Sequence, residues 1–492
     1  MASVRRSSPI LPPLPRRQRW RTVVIGAGIA GRLVLEELRR HRRLGYDCRG
    51  FLDDDPRKQR RQIGGLPVWG SIETLPVIAK RHRLQLALLA IPSASGSLHR
   101  RVTTLAHACG LELRVVPGLY EVLRRDTAAG RVRAVGLEDI IRRPPAAFDV
   151  TAMRQALTGK SILITGAAGS IGRELCRQLA ALEPRQLLLF DHEENNLFES
   201  SVELRDRYPS LVVQMLVGDI RDRHRIRAVL QASHPEVVYH AAAYKHVPMM
   251  ELNLLEAIKT NILGTAVLVE EAARIGVARV VLISTDKAVN PSNVMGACKR
   301  FAELTLLSAA RRFPGTAFMA VRFGNVVPSR GNVVERFSEQ IARGGPVTVT
   351  HPAMRRYFMT CEEAAQLVMQ ASAWGWGGEI FVLDMGRQIK VVQVARDMIR
   401  LAGLRPGTDV PIVFTGIRPG EKLQEELVTP GERAHSTHHQ RIRVVVSRGQ
   451  AWRTIRTALQ SFARVVQTED PLKGRQLLRR YVPMYHESIG HP

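Results

Sequence analysis

The sequence is poor in cysteine and lacks any long apolar run. Its 5 cysteines are scattered over 492 residues and form no Cys-x-x-Cys pair, which argues against disulfides and zinc, so we expect no metal. The same pattern favours a reducing, cytoplasmic location. No run of 18 apolar residues is present, so no helix is expected to span a bilayer, and residues 1–20 lack the apolar core of a signal peptide.

Acidic and aromatic residues are also scarce. The chain has 45 acidic against 72 basic side chains, a formal net charge of +27, and 5% aromatic residues. Such an excess of positive charge is typical of nucleic-acid or membrane-surface partners, but it also arises from a general arginine bias. Because the arginines are spread along the whole chain and are not interleaved with aromatics, we predict no nucleic-acid partner. Peripheral contact with an anionic membrane surface remains an expectation.

The order of sequence patterns predicts two Rossmann-like units in tandem, each an α/β doubly wound parallel sheet. Residues 1–20 are rich in proline and arginine and are interpreted as a disordered basic arm. Residues 21–145 contain four apolar strands, the first followed by a turn with Gly26, Gly28 and Gly31. This turn is typical of a nucleotide site but equally of a structural remnant, so no ligand is assigned to it.

A second, longer Rossmann unit is predicted for residues 155–330. Six apolar strands alternate with helical patterns, and the first strand runs into a turn with Gly166, Gly169 and Gly172. Short strands and helices over residues 331–435 predict a smaller substrate lobe, and residues 436–492 a basic C-terminal extension.

The glycine turn of the second unit predicts a dinucleotide cofactor. Glycines there let the backbone approach a pyrophosphate, whose charge is stabilised at the N-terminus of the next helix. Asp191 ends the second strand, where a carboxylate binds a ribose 2′-hydroxyl and repels a 2′-phosphate, which favours NAD; a helix cap is the alternative. The predicted cofactor residues are Gly166, Gly169, Ser170, Ile171, Gly172, Asp191, Asp219, Ile220, Ala241, Ala242 and Lys299.

The stretch STDKAVNPSNVMGACKR follows the fifth strand of this unit. The carboxyl end of a strand in a doubly wound sheet faces the ligand crevice. Thr285, Asp286 and Lys287 are therefore predicted to be catalytic, with a helix cap as the alternative for the aspartate. Met295 and Lys299 are expected to share one helix face, and the lysine to reach the nicotinamide ribose and lower neighbouring pKa values.

These motifs together resemble a known family. TGAAGSIG, DHEENNL, AAAYKHVPMME, STDKAVNPSNVMGACKR, RFGNVVPSRGNVV and FTGIRPGEKLQEEL are similar to the CapD-like polysaccharide biosynthesis proteins. These are extended short-chain dehydrogenases that include UDP-N-acetylglucosamine 4,6-dehydratases. The resemblance covers Gly26 to Glu426. Long members of the family carry membrane helices before the first Rossmann unit, where this chain has its basic arm, so the resemblance does not imply membrane integration.

The resemblance also bears on Met295, which stands where short members have the tyrosine that acts as acid and base. A thioether cannot move a proton, but long members resemble this chain in having methionine there, which counts against lost activity. The family reaction oxidises C4 of the sugar, removes water across C5 and C6, and returns the hydride to C6. The resemblance implies that Asp286 is the acid for the C6 hydroxyl, that Lys287 is the base at C5, and that Thr285 binds near O4. We expect the positive charge of the nicotinamide to lower the pKa of Lys287, so that this lysine can accept a proton.

The substrate is expected to be a UDP-N-acetylhexosamine. Arginine suits phosphate oxygens, so we expect the diphosphate to be bound in the motifs RFGN, MRRYF and RPGEK and the sugar to lie near the motif AYKHV; a surface salt bridge is the alternative for each residue. The predicted substrate-binding residues are Lys245, Asn325, Arg356, Arg418 and Glu421.

Two other functions compete with the dehydratase. A 4-epimerase would use the same cofactor, but it has no need of an acid at C6. A non-catalytic NAD-binding regulator would explain Met295 but not the intact Thr285, Asp286 and Lys287. The group that deprotonates the C4 hydroxyl is left open, with Lys299 acting through Thr285 or a water as our hypothesis. A homo-oligomer is expected by analogy with the short-chain dehydrogenases.

Overall fold

The computed structural model describes residues 19–40, 45–91, 94–116, 133–134, 137–141, 148–329, 331–429, 431–447 and 449–487. The predicted basic arm therefore lies outside the described residues, apart from its last two. The chain forms two compact units. The first comprises residues 1–145, 340–346 and 395–412, and the second comprises residues 146–339, 347–394 and 413–492.

The first unit contains a sheet in which five strands are described. Four strands are parallel and the fifth is antiparallel, in the spatial order Tyr46–Leu52, Trp20–Ile25, Leu86–Leu89, Glu112–Val115 and Arg133–Ala134. The helices that accompany the sheet are Ile29–Arg40, Leu75–His82, Gly96–Ala108 and Leu137–Ile141, with a 3-10 turn at Ile72–Thr74 and a small hairpin of Gln62–Ile63 and Leu66–Pro67. The Rossmann-like pattern predicted for this part of the sequence is confirmed.

The second unit is organised around a larger sheet with nine described strands. Their spatial order is Val212–Val217, Gln186–Asp191, Ser161–Thr165, Val237–His240, Arg279–Thr285, Ala317–Phe323, Ile380–Leu383, Ile442–Val446 and Arg433–Ser436. The first seven strands are parallel, the eighth pairs antiparallel with the seventh, and the ninth pairs antiparallel with the eighth. The six predicted strands take the order 3-2-1-4-5-6 of a dinucleotide-binding fold, so the predicted fold class is confirmed.

Helices cover both faces of this sheet because its central strands are apolar on both sides. The helices beyond residue 145 are Val150–Leu157, Ser170–Ala180, Glu194–Arg207, Arg223–Ser233, Val247–Leu252, Leu254–Ala257, Thr265–Ile275, Val294–Arg312, Val333–Ala342, Cys361–Trp374, Val391–Leu401, Trp452–Gln467 and Pro471–Tyr481, with a π-helical segment at Ile258–Gly264 and a 3-10 turn at Asp286–Ala288. The short strands outside the large sheet are Asn325–Val327, Val347–Val349, Arg355–Arg356, Phe358–Thr360, Ile389–Lys390 and Ile412–Phe414. No helix in the described ranges is both long and apolar enough to cross a membrane.

The last part of the chain differs from the predicted basic extension. The predicted boundary at residue 435 passes through strand Arg433–Ser436, and the adjacent strand Ile442–Val446 pairs with Ile380–Leu383 in the large sheet. Helix Trp452–Gln467 then buries Ile455, Ala458, Leu459, Phe462 and Val465, which are spaced as one face of a helix. The arginines between these positions give the segment its basic composition, and for this reason the apolar face was not recognised from the sequence.

This apolar face carries a stability prediction. The ring of Phe462 is fully buried and meets the ring of Phe301 edge to face at 5.2 Å between centroids. We expect Phe462→Ala to lower the free energy of unfolding of the second unit by about 3–5 kcal/mol, because the variant leaves a cavity in a packed core. Urea unfolding followed by tryptophan fluorescence measures this change. The exposed Gln460→Ala on the same helix is the matched control and is expected to stay within about 0.5 kcal/mol.

Candidate active site

The glycine turn of the second unit follows strand Ser161–Thr165. Gly166 has a positive φ of 74°, and a Cβ on it would lie 2.5 Å from the backbone nitrogen of Ala242. A Cβ on Gly172 would lie 2.0 Å from the carbonyl oxygen of Gly166. The absence of side chains therefore lets the turn, the helix and the neighbouring strand end approach one another. Gly169 is the N-cap of helix Ser170–Ala180, so the predicted Ser170, Ile171 and Gly172 form its first turn.

A cavity of about 390 Å³ opens beside this turn. It lies at the carboxyl ends of the central strands, where a doubly wound sheet binds its ligand. Phe190, Tyr244 and Thr260 also line it and were not predicted. The predicted cofactor residues that line the cavity are Gly166, Gly169, Asp191, Asp219, Ile220, Ala241 and Ala242.

Asp191 connects the second strand to the glycine turn. One carboxylate oxygen accepts a hydrogen bond from the backbone N–H of Ala168 at 2.9 Å, and the other accepts one from that of Glu193 at 3.1 Å. A carboxylate offers about four lone-pair positions, so both bonds leave room for a ribose hydroxyl. The first unit repeats this bond, since Asp53 accepts from the backbone N–H of Ala27 at 2.7 Å.

The shape and chemistry of this cavity fit an adenine dinucleotide. The glycine cradle leaves space for a pyrophosphate at a helix N-terminus, and Asp191 lies where the adenine ribose would bind. Asp219 is half-exposed, and its carboxylate pairs with Arg221 at 2.5 Å, which lowers the pKa of the aspartate despite partial burial. Its predicted contact with adenine would thus involve an aspartate that already pairs with an arginine.

Gly166 provides a direct test of the cradle. We expect Gly166→Ala to weaken NAD binding by at least about tenfold, because the new methyl group would strain the positive φ and meet the backbone of Ala242. Isothermal titration with NAD measures this. Gly276→Ala is the matched control, since Gly276 has the same φ of 74° with no atom within 4 Å of a new Cβ. Equal binding by Gly166→Ala and wild type would contradict a cofactor site here.

Strand Arg279–Thr285 leads into a 3-10 turn at Asp286–Ala288, and the side chains of the predicted catalytic residues Thr285, Asp286 and Lys287 contact one another there. Thr285 Oγ1 donates to Asp286 Oδ1 at 2.9 Å, and Lys287 Nζ donates to the same oxygen at 3.0 Å. Lys287 Nζ also donates to Asn325 Oδ1 at 3.2 Å. Asp286 is fully buried, and its second oxygen, Oδ2, accepts no hydrogen bond from the described residues. This oxygen is therefore a buried acceptor to which the described residues offer no donor.

Two glycines of the motifs allow this close packing. A Cβ on Gly324 of RFGN would lie 2.9 Å from Asp286 Oδ2. A Cβ on Gly296 would lie 2.1 Å from the carbonyl oxygen of Lys287, so the glycine lets helix Val294–Arg312 approach the 3-10 turn. The side-chain amide of Asn293 caps the same helix, because its Oδ1 accepts from the backbone N–H of Gly296 at 2.7 Å. The motif thus fixes the 3-10 turn Asp286–Ala288, which we call the reactive turn, against the N-terminus of this helix.

Met295 and Lys299 lie on that helix in different surroundings. Met295 is 3% exposed and belongs to an apolar cluster with Phe301 and Phe462, so it acts as a core residue at the position of the missing tyrosine. Lys299 is 5% exposed, and its burial lowers its pKa to about 8, an effect that the nearby Glu303 carboxylate opposes. Burial also lowers the pKa of the neighbouring His240 to about 3, which keeps that imidazole neutral.

The predicted lowering of the pKa of Lys287 is not what the protein alone produces. Burial lowers the pKa, but the carboxylates of Asp286 and Glu425 outweigh burial, and the pKa is raised. Our prediction assigned the lowering to the positive charge of a bound cofactor and did not include Glu425. This glutamate lies 3.8 Å from Lys287 Nζ and was missed because it comes from a distant segment.

The predicted substrate residues are divided between two environments. Arg356 is buried and lies 3.8 Å from Glu425, while Asn325 contacts Lys287 directly, so both adjoin the reactive turn. Arg418 is exposed and pairs with Glu421 at 2.6 Å. The loop between them is fixed by Gly420, whose carbonyl oxygen accepts from Asn293 Nδ2 at 3.0 Å.

Lys245 follows strand Val237–His240 and is exposed. It thus lies at the carboxyl end of a central strand, as the sequence indicated. Within the described ranges, no group of three or more His, Cys, Asp or Glu side chains could hold a metal ion.

The large sheet has the strand order of a dinucleotide-binding fold, and the chain is similar to nucleotide-sugar dehydratases and epimerases. The profile of a family described as "Polysaccharide biosynthesis protein" matches residues 162–447, and the chain belongs to this family. The resemblance to CapD-like proteins is thereby confirmed. A second profile, described as a CoA-binding domain, matches residues 11–117.

Named relatives agree with this assignment. The capsular polysaccharide biosynthesis protein CapD of Staphylococcus aureus is 42% identical over 438 residues, which cover 89% of this chain and 72% of CapD. A UDP-N-acetylglucosamine 4,6-dehydratase (inverting) of Campylobacter jejuni is 35% identical over 285 residues, covering 57% of this chain and 80% of that protein. The X-ray structure of Pen from Bacillus thuringiensis matches with a TM-score of 0.55 and 33% identity, over 59% of this chain and 89% of Pen.

Proposed function

We propose that the protein is an NAD-dependent UDP-N-acetylglucosamine 4,6-dehydratase that acts in surface-polysaccharide biosynthesis. The observation that carries this proposal is the contact of Thr285, Asp286 and Lys287 at the end of one strand. A buried carboxyl group and an amine 3.0 Å apart are the acid and base that removal of water requires. The similarity to the Campylobacter dehydratase supports the same reaction.

NAD, held by the glycine cradle and Asp191, would supply the acceptor for the hydride from C4 and the source of the hydride for C6. The Lys287 ammonium passes a proton to Asp286 across their 3.0 Å contact, which leaves a neutral amine and a carboxylic acid. Oxidation at C4 acidifies the C5 proton, which the neutral Lys287 then removes. Asp286 donates a proton to the C6 hydroxyl, which then leaves as water. Thr285 Oγ1 lies within hydrogen-bond distance of Asp286 and positions that carboxyl group. The C5–H and C6–O bonds break and water is released, which leaves Lys287 as the ammonium and Asp286 as the carboxylate.

Met295 limits which group removes the proton of the C4 hydroxyl. Its side chain lies in the apolar cluster and offers no proton acceptor. Lys299, whose pKa is lowered to about 8 by burial, supports our proposal that this lysine acts through Thr285 or a water.

Neither of the two competing functions requires all of these residues. A 4-epimerase returns the hydride to C4 and removes no water, so it does not need the buried Asp286 and Lys287 pair. A regulator would not need the two glycines, Gly296 and Gly324, that make room for this pair. Both arguments favour dehydration.

One experiment separates the three functions. The protein is incubated with UDP-N-acetylglucosamine and NAD in deuterated water, and the products are read by NMR. A 4-keto-6-deoxy sugar with deuterium at C5 supports the dehydratase, and unlabelled UDP-N-acetylgalactosamine indicates the epimerase. If NAD binds but several UDP- and dTDP-sugars remain unchanged, the regulator is favoured and the dehydratase proposal fails.

Location and assembly are also proposed. The 5 cysteines are all free, which fits a reducing cytoplasm. The net charge of +27 supports peripheral contact with anionic lipid, and the short-chain dehydrogenase fold supports a homo-oligomer. Co-sedimentation with anionic vesicles tests the first, and light scattering after size exclusion tests the second.

A further inference from the structure

Glu425 is a buried carboxylate that the reaction above leaves without a role. It follows the RPGEK motif in the sequence and is 4% exposed. One of its oxygens, Oε1, lies 3.8 Å from Lys287 Nζ and 3.8 Å from the guanidinium of Arg356. The carboxylate therefore lies between the cation of the reactive turn and a cation of the substrate lobe.

The segment that carries Glu425 is held by its backbone. The carbonyl oxygen of Leu423 accepts from the backbone N–H of Arg355 at 2.8 Å, and that of Glu425 accepts from Gln388 Nε2 at 2.6 Å. The carboxylate is thus supplied by an anchored segment and not by a freely moving loop. Its position relative to Lys287 is built into the fold.

We infer that Glu425 is a positioning residue, which holds the Lys287 ammonium beside Asp286 and sets the pH at which the lysine becomes a base. The inference rests on the proposed function, because it assigns a partner to the base of that reaction. Lys287 Nζ has three N–H donors, and two of them are used by Asp286 and Asn325. The Glu425 carboxylate, 3.8 Å away, attracts the same ammonium electrostatically.

The charges around this pair determine the direction of the effect. Burial and the charge of Asp286 raise the pKa of Glu425, whereas the cations Lys287, Arg356 and Lys422 lower it, with a net rise. An ionised Glu425 stabilises the ammonium form of Lys287 and raises its pKa, whereas the positive charge of Arg356 lowers the pKa of Lys287. Removal of the Glu425 charge should therefore let Lys287 lose its proton at lower pH.

The test compares Glu425→Gln with Glu426→Gln in the full-length protein. The side chain of Glu426 is 49% exposed and pairs with Lys422 at 3.5 Å, so its variant removes the same charge from the adjacent residue without facing Lys287. Trace labelling with acetic anhydride, read by mass spectrometry of the peptide that contains Lys287, reports the protonation of this amine against pH. The pH dependence of C5 deuterium incorporation is measured in parallel.

We expect Glu425→Gln to move the labelling midpoint of Lys287 to lower pH by about 1–3 units, the usual effect of one nearby charge. The rising limb of the exchange profile should move with it, while Glu426→Gln leaves both in place. If Glu425→Gln does not fold, as judged by circular dichroism, Glu425→Asp should give a smaller shift in the same direction. An unchanged midpoint in the folded variant would overturn the inference.

The labelling also separates the two proposals. It requires neither substrate nor turnover, so it reports on Glu425 even where the sugar is not converted. A shifted midpoint without any 4-keto-6-deoxy product would refute the dehydratase and keep the partnership of Glu425 and Lys287. Normal product formation with an unshifted midpoint would support the dehydratase and refute the role of Glu425.

Discussion

Asp286→Asn is expected to abolish turnover of the nucleotide sugar while NAD binding is retained. The amide has nearly the shape of the carboxyl group but cannot donate a proton to the C6 hydroxyl. General acid catalysis commonly contributes about 10²–10⁴-fold to a rate, so we expect a loss of that size in the formation of the 4-keto-6-deoxy product. The rate is followed by NMR, and NAD affinity by isothermal titration.

The geometry of the site makes this replacement informative. The Oδ1 of an asparagine can still accept from Thr285 and Lys287, so the contacts of this turn are kept. Its amide nitrogen would occupy the buried position of Oδ2, where the described residues offer no partner. The cost in stability is about 1–3 kcal/mol, which thermal melting detects separately from the rate.

Lys287→Ala and Asp206→Asn complete this experiment. Loss of the amine should remove C5 exchange as well as product, again with NAD still bound. Asp206 is exposed on helix Glu194–Arg207, so its replacement by asparagine should change nothing. Full activity in either Asp286→Asn or Lys287→Ala would show that the proton carriers are misassigned.

The parts of this protein that were predictable are those with local signals. A strand followed by spaced glycines and a helix identifies the dinucleotide cradle, because the reason for each glycine lies within a few residues of it. The strand order follows in turn from the alternation of strands and helices, which permits few topologies. Thr285, Asp286 and Lys287 are adjacent in sequence, so their contact needed only the position of one strand end.

What the sequence did not reveal depends on contacts between distant segments. Glu425 and Lys287 are far apart in sequence and meet only in the tertiary fold, and nothing in the motif that contains Glu425 indicates this contact. The raised pKa of Lys287 was missed for the same reason. The apolar face around Phe462 consists of only five buried residues. The arginines between them make the segment basic in composition, so the helical spacing of the apolar residues was overlooked.

A buried charge network below the active site leads to the second large expected effect. Arg322 is fully buried and donates to Glu303 from Nε and from Nη2, each at 2.7 Å, and to Glu432 from Nη1 at 2.7 Å. Arg300 also pairs with both glutamates, at 2.9 Å and 3.0 Å. Two anions and two cations therefore balance one another away from water.

Arg322→Met should destabilise the second unit by about 3–5 kcal/mol. It leaves two buried carboxylates to one remaining arginine, and an uncompensated buried charge is far costlier than the loss of a surface pair. Burial raises the pKa of Glu303, but its pairing with Arg322 outweighs this and keeps the pKa low, so the carboxylate is ionised at neutral pH. Urea unfolding at pH 7 measures the loss, with Arg456→Met on an exposed helix face as control.

The same network bears on activity, because Glu303 also accepts a hydrogen bond from Ser284 Oγ at 2.6 Å, directly before Thr285. Loss of Arg322 should thus loosen the strand end that presents Asp286 and lower turnover beyond the effect on stability. Addition of Glu303→Gln to Arg322→Met removes the unpaired charge and should recover part of the lost stability. A double variant no more stable than Arg322→Met would show that lost packing, and not unpaired charge, causes the destabilisation.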